Sequence, residues 1–155
     1  MPTLTAHDID VALNDAVQTV PELGSVTRLD DAGWLLELAS GEELLAEWTS
    51  DPPRLVLTAS LGQPDAAHEL FVYKTALAYN AHWQRNGSLR VARDPAAGDL
   101  SLLADLPASE LQTTSLPTCL LRFEAARALW LLAVHHMEAM DASPAGALRS
   151  HAALV

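Results

Sequence analysis

Leu89-Arg90-Val91-Ala92-Arg93, then Asp94-Pro95-Ala96-Ala97-Gly98-Asp99, then Leu100-Ser101-Leu102-Leu103-Ala104-Asp105-Leu106 gives the clearest local reading in this sequence. Asn86-Gly87 turns the chain into the first run. Proline and glycine punctuate the middle segment, so the two aliphatic-rich runs read as the arms of a β-hairpin. The rest of the chain is organised around this pair.

Upstream, the Gly62-Gln63-Pro64-Asp65 turn precedes a helix predicted from about Asp65 to Asn86. Its apolar residues, Leu70, Phe71, Tyr73, Leu77, Ala78, Ala81 and Trp83, spread over more than one face. A helix apolar on two sides is either sandwiched within the core or packs on its own sheet and on a second subunit. In a domain this small the second is the simpler account, so a homodimer is expected, with Leu70, Tyr73, Leu77 and Ala81 at the interface. Earlier still, Trp34–Ala39, Leu44–Trp48 and Arg54–Leu61 read as three strands of an antiparallel meander, separated by Ser40-Gly41 and by Asp51-Pro52-Pro53. Leu44–Glu47 could instead be a helical turn, since Leu, Ala and Glu favour helix.

The N-terminal segment from His7 to Val20 carries Ile9, Leu13, Ala16, Val17 and Val20 at three- and four-residue steps, the spacing of one helical face. Thr5 caps it, Asp8 suits its first turn, and Pro21 with Gly24 ends it. Downstream of the hairpin, a last helix is predicted from Thr114 or Ser115 to about Met140, with Pro117 in its first turn. Leu116, Leu120, Phe123, Arg127, Trp130 and Val134 trace one stripe, which Leu121, Ala128, Leu131 and Leu132 widen. The expected fold is α+β, helix–three strands–helix–two strands–helix, with an antiparallel sheet packed against helices. It forms one domain over residues 1–140 and a frayed tail over 141–155, rich in Ala, Ser, Pro and Gly.

Composition narrows the function. Twenty Asp and Glu stand against nine Lys and Arg, a formal charge of −11. Nucleic acid and anionic membrane are disfavoured as partners. Thirteen of the acids but only three of the bases precede Tyr79, so the first half favours a basic or polar partner. No apolar run reaches the ~20 residues of a membrane span. The N-terminus lacks the basic patch and apolar core of a signal peptide, and the lone Cys119 has no disulfide partner. A cytoplasmic protein is expected.

Motifs for chemistry are missing. No GxSxG, P-loop, GxGxxG, CxxC or HExxH occurs, so no catalytic residue, metal ligand or cofactor is assigned. His135 and His136, with Glu138, form the one dense histidine cluster, but neighbours on a helix point about 100° apart and do not chelate together. His68 and His82 lie too far apart to cooperate. Cys119 reads as a small buried hydrophobe. Glu42, Glu43, Glu47 and Asp51 lack the spacing of a calcium loop. Of the four tryptophans, Trp130 reads as core, whereas Trp34 and Trp48, on strands apolar on more than one face, suggest a recognition surface.

Four pieces together resemble the class I type III secretion chaperones of the Tir-chaperone (CesT-like) family. They are Leu77-Ala78-Tyr79-Asn80-Ala81; Gly87-Ser88-Leu89-Arg90-Val91-Ala92-Arg93-Asp94; Leu100-Ser101-Leu102-Leu103-Ala104-Asp105-Leu106-Pro107; and the spaced Leu116, Leu120, Phe123, Ala126 and Trp130. The similarity runs from about Asp10 to Met140. Ala81 stands where many relatives have a larger aliphatic, and the first helix lacks aromatics. The resemblance implies a bacterial cytoplasmic homodimer whose second helix forms much of the interface. It implies capture of the N-terminal segment of a secreted effector on apolar grooves, without ATP or cofactor, and delivery to an export ATPase. Ile9, Leu13, Val17, Trp34, Leu36 and Trp48 are the expected effector-binding residues. The rival readings are a protein-binding regulatory α+β module without a secretion role, and a small hydrolase built from residues such as His82, Asp99 and His136.

Overall fold

Thr5 starts the first helix by a reciprocal cap. Its hydroxyl accepts from the Asp8 amide at 3.3 Å, and the Asp8 carboxylate accepts from the Thr5 amide at 2.8 Å. The Thr5 hydroxyl and amide hold the Asp8 carboxyl below its ordinary range. This capping box satisfies donors that a helix N-terminus leaves unpaired. The computed structural model describes residues 4–135; the predicted tail at 141–155, the end of the last helix towards Met140, and His136 with Glu138 lie outside them.

Helix α1 spans Ala6–Thr19. Four strands follow: β1 Leu23–Arg28, β2 Gly33–Leu38, β3 Glu43–Ser50 and β4 Pro53–Gly62. Helix α2 covers Glu69–Ala81 and a single turn, α3, covers Trp83–Asn86. The hairpin is β5 Leu89–Arg93 and β6 Leu100–Pro107. Helices α4 Ala108–Thr113 and α5 Leu116–His135 complete the described chain. All six strands form one antiparallel sheet in the order β1-β2-β3-β4-β6-β5. The α+β architecture agrees with the sequence reading, and Leu44–Glu47 is strand.

Three details differ. Strand β1 was not expected: it is an edge strand with Gly24 and a register shift between Leu23 and Ser25, and Leu23 alone of its residues is buried. An edge strand that buries so little leaves almost no hydrophobic alternation. Helix α4 is likewise a short turn without a buried residue. The helix expected over Asp65–Asn86 starts at Glu69 and breaks at His82. There the Tyr79 carbonyl accepts from both the His82 amide and the Asn86 side-chain amide, which tightens the last turn.

Strand alternation puts Trp34, Leu36 and Leu38 of β2, Leu44, Ala46 and Trp48 of β3, and Leu55, Leu57, Ala59 and Leu61 of β4 into one core. Helix α1 adds Ile9, Leu13 and Ala16, and α5 adds Leu116, Leu120, Phe123, Trp130 and Val134. The Trp34 indole donates to the Asp10 carboxylate at 2.7 Å, which pins α1 to β2. In the hairpin turn the Asp94 carboxylate accepts from the Ala96 and Ala97 amides at 2.7 and 2.8 Å, and Gly98 supplies a φ of 82°.

Leu13 is fully buried. Leu13→Ala should therefore lower stability by about 2–5 kcal/mol, and Leu13→Asp should unfold the domain, because its carboxylate would be buried without a partner. Urea denaturation followed by tryptophan fluorescence and circular dichroism measures both; a Leu13→Asp protein with a wild-type melting curve would contradict this placement.

Candidate binding surfaces

Helix α2 is held to the sheet by Val72 and Ala76 on its inner face and by Asn80 at the sheet edge. The Asn80 side chain donates to the Val91 carbonyl at 2.8 Å and accepts from the Val91 amide at 2.9 Å. One amide thus substitutes for a neighbouring strand at Val91, the middle residue of β5. The Tyr79 ring meets Trp130 of α5 edge-on, with centroids 5.2 Å apart.

The outer side of α2 is uncovered and apolar apart from Lys74. Leu70 and Leu77, 67 and 70 % exposed, share a stripe with Ala81, while Phe71 and Trp83 extend the apolar surface. Tyr73, expected on the same interface, is turned about 60° from Leu70 by helix geometry. It is half-buried: its hydroxyl donates to Glu69 at 2.6 Å and accepts from Arg93 at 3.1 Å. Helix α5 has a second apolar side too. Leu121, Leu129 and Leu132 are exposed. Between the two helices Thr75, Tyr79, Ala126, Leu129, Trp130 and Ala133 line a cleft of about 220 Å³. Leu121 and Leu132 were visible in sequence as a widening of the α5 stripe, but periodicity alone did not show that they face outward, and Leu129 was not singled out.

The residues expected to meet an effector lie elsewhere. Ile9, Leu13, Trp34, Leu36 and Trp48 are buried in the chain's own core, and Val17 alone of the set is half-buried. For the five buried residues the expected partner surface is corrected: α1 has one apolar stripe, and the sheet consumes its Ile9 and Leu13. Strands β2 and β3, which carry the two tryptophans, are interior strands, so no sheet edge lies there. The open edge is β1, whose outer side pairs with no strand among the described residues.

Polar groups mark the middle and the end of α5. Arg127 is buried; its guanidinium forks onto Glu124 at 2.7 and 2.8 Å and also donates to Glu42 of the β2–β3 turn. Its pKa is raised, chiefly by the hydrogen bonds to Glu124, and its separate hydrogen bond to Glu42 lowers that carboxyl below its ordinary 4.5. The network ties α5 to the sheet. His135 contacts the Leu61 carbonyl at 2.7 Å. Cys119 is buried, and burial pushes its thiol up, away from the thiolate a nucleophile needs. Among the described residues no three His, Cys, Asp or Glu side chains gather as metal ligands, and no helix is long and apolar enough to cross a membrane. Of the residues weighed for hydrolysis, His82 ends α2 and Asp99 lies in the hairpin turn.

The comparisons with known proteins agree with this architecture. The Tir chaperone protein (CesT) family model matches residues 30–131, so the chain belongs to that family. The fold is similar to that in the crystal structure of the ExsC–ExsE complex, with a TM-score of 0.66 and 16 % identity over 85 % of this chain and 97 % of that one. It is also similar to the HopA1–SchA chaperone–effector complex, with a TM-score of 0.60 and 17 % identity over 81 % of this chain and 91 % of that one. No curated protein matches the chain by sequence.

Arg127→Met should cost about 2 kcal/mol; breaking a fully buried pair costs about 3–5 kcal/mol, and here both carboxylates keep contact with solvent. Because the folded Glu42 pKa is depressed, its contribution is present above pH 4.5 and is lost as pH falls through the lowered value. Glu42→Gln should thus be less stable than wild type at pH 7, by at most about 1 kcal/mol given the exposure of Glu42. The two curves should converge in acid. Thermal unfolding from pH 7 to pH 3 tests the convergence.

Proposed function

We propose that this chain is a type III secretion chaperone that captures the N-terminal segment of a secreted effector and keeps it stable and competent for export. The observation that carries the reading is the family match over residues 30–131. The uncovered apolar sides of α2 and α5 supply the kind of surface such a role requires, since large exposed apolar patches mark sites of association. The two similar folds come from complexes, one of which is described as chaperone with effector.

Under this reading the protein is a bacterial cytoplasmic homodimer, formed by one domain within residues 1–140. The Leu70–Leu77–Ala81 stripe of α2 meets its copy in the partner. The effector segment adds to the open β1 edge, where main-chain bonds give affinity without demanding one sequence, beside the half-buried Val26 and Val17. Catalysis, ATP and cofactors have no part in it; release follows from handover to the export ATPase.

Two measurements test the proposal. Co-expression with the product of an adjacent gene bearing a disordered N-terminus should yield a stable complex that retains the first part of that protein after limited proteolysis; no co-purification with any secreted protein of the host would sink it. Light scattering should return about twice the chain mass of 16.6 kDa. Leu77→Glu, at an exposed position, should halve that mass and leave the circular dichroism of the monomer unchanged. A dimer that survives both Leu70→Glu and Leu77→Glu places the interface off α2.

A further inference from the structure

The helices cover one face of the sheet and leave the other bare, and the bare face is charged unevenly. In register across it run Arg90, Leu103, Thr58, Leu45, Leu35 and Thr27. The adjacent row has Asp105 opposite Val56 and Val56 opposite Glu47. Glu37, Glu43 and Glu47, all exposed, occupy the β2–β3 part. At the β4–β5 part Arg54 and Arg90 converge on one oxygen of Asp105, at 3.0 and 2.9 Å.

This trio keeps one net positive charge on a chain whose formal charge is −11. Arg54 engages Asp105 through Nη1 and Arg90 through Nη2, so each planar fork has donors to spare. Arg54 Nε is shielded from solvent and lacks a hydrogen-bond partner among the described residues. Arg54, Arg90, Asp105 and Ser88, with Pro52, Pro53 and Pro107, line an open cleft of about 290 Å³. Other arginines are spent singly: Arg28 on the carbonyls of Asp30 and Asp31, Arg93 on Tyr73, Arg127 on its glutamates.

We propose that the Arg54–Arg90 cleft is a carboxylate-binding subsite for an acidic side chain of a bound polypeptide, whose aliphatic neighbours lie on Val56 and Leu103. A single negative charge matches the net charge of the trio, whereas a dianionic phosphate would leave one negative charge uncompensated beside Asp105. Guanidinium forks suit the planar carboxylate. The aliphatic row beginning at Leu103, two residues from Asp105 on the same face, extends the site as a peptide would need. The inference rests on the polypeptide-binding reading above and adds a chemical preference to it: an acidic residue flanked by aliphatics.

The test uses the full chain labelled with ¹⁵N at arginine and the peptide acetyl-Val-Leu-Glu-Val-Leu-amide, beside its glutamine counterpart. The glutamate peptide should shift the Nε–H signals of Arg54 and Arg90 and bind at least about fivefold more tightly than the glutamine peptide, as charge-assisted bonds outweigh neutral ones. Arg90→Gln leaves the Arg54–Asp105 bridge in place; its melting temperature should stay close to wild type and the preference for glutamate should vanish. Equal affinity for the two peptides overturns the proposal. So do sodium acetate shifting both signals as strongly as the peptide, which marks a site for free carboxylates, and an Arg90→Gln protein that loses its dimer, which gives the cleft to a second copy. Failure of effector capture with the glutamate preference intact removes the secretion role and leaves the subsite standing.

Discussion

A six-stranded sheet has two faces, and this chain has helices enough for one. Helix α1 covers the β1–β2 end, with its Asp10 on the Trp34 indole, and α5 covers β4 and β6. Side chains alternate along every strand, so this one-sided cover decides which half of the aliphatic residues is core and which half meets water. Trp34, Leu36, Leu44, Leu55, Leu57 and Leu102 fall inside; Leu35, Leu45, Val56 and Leu103 fall on the half-buried outer face. With the centre of the covered face taken, α2 is left to pack along β5 at the far end. Only Val72 and Ala76 of its residues are fully buried there.

That position explains why so much apolar surface stays in water. Helices α2 and α5 each have an inner side that the fold consumes and an outer side that it does not. Burying a large aliphatic side chain is worth about 1.5–3 kcal/mol, so Leu70, Leu77, Leu129 and Leu132 represent association energy held in reserve. Anything that binds only the folded chain stabilises it by mass action. For a protein of this family, stability and occupancy are therefore one quantity seen from two sides.

The same geometry accounts for what the amino-acid sequence made legible. The hairpin at residues 89–106, the cap and stripe of α1 and the inner stripe of α5 were readable because each buries one face with a clean period. Strand β1 was not, since Leu23 is its one buried residue and Gly24 interrupts the register. Nor could periodicity tell the inner side from the outer where both are apolar. Trp34 and Trp48 looked available for recognition and are core, while Leu121 and Leu132, which widen the α5 stripe, are exposed. The Arg54–Arg90–Asp105 cluster joins residues up to 51 positions apart, and only the sheet order β4-β6-β5 brings them together.

The amide of Asn80 on Val91 has one more consequence, which concerns polymerisation. A sheet with two free edges can add copies of itself head to tail without limit, because each addition exposes a fresh edge. Here one edge is blocked at Val91 by a side chain of the same molecule. Pairing of copies through the sheet is thereby favoured at β1 against β1, an isologous contact that uses up both β1 edges. A single asparagine thus takes the β5 edge out of strand addition at Val91 and directs pairing through the sheet to β1.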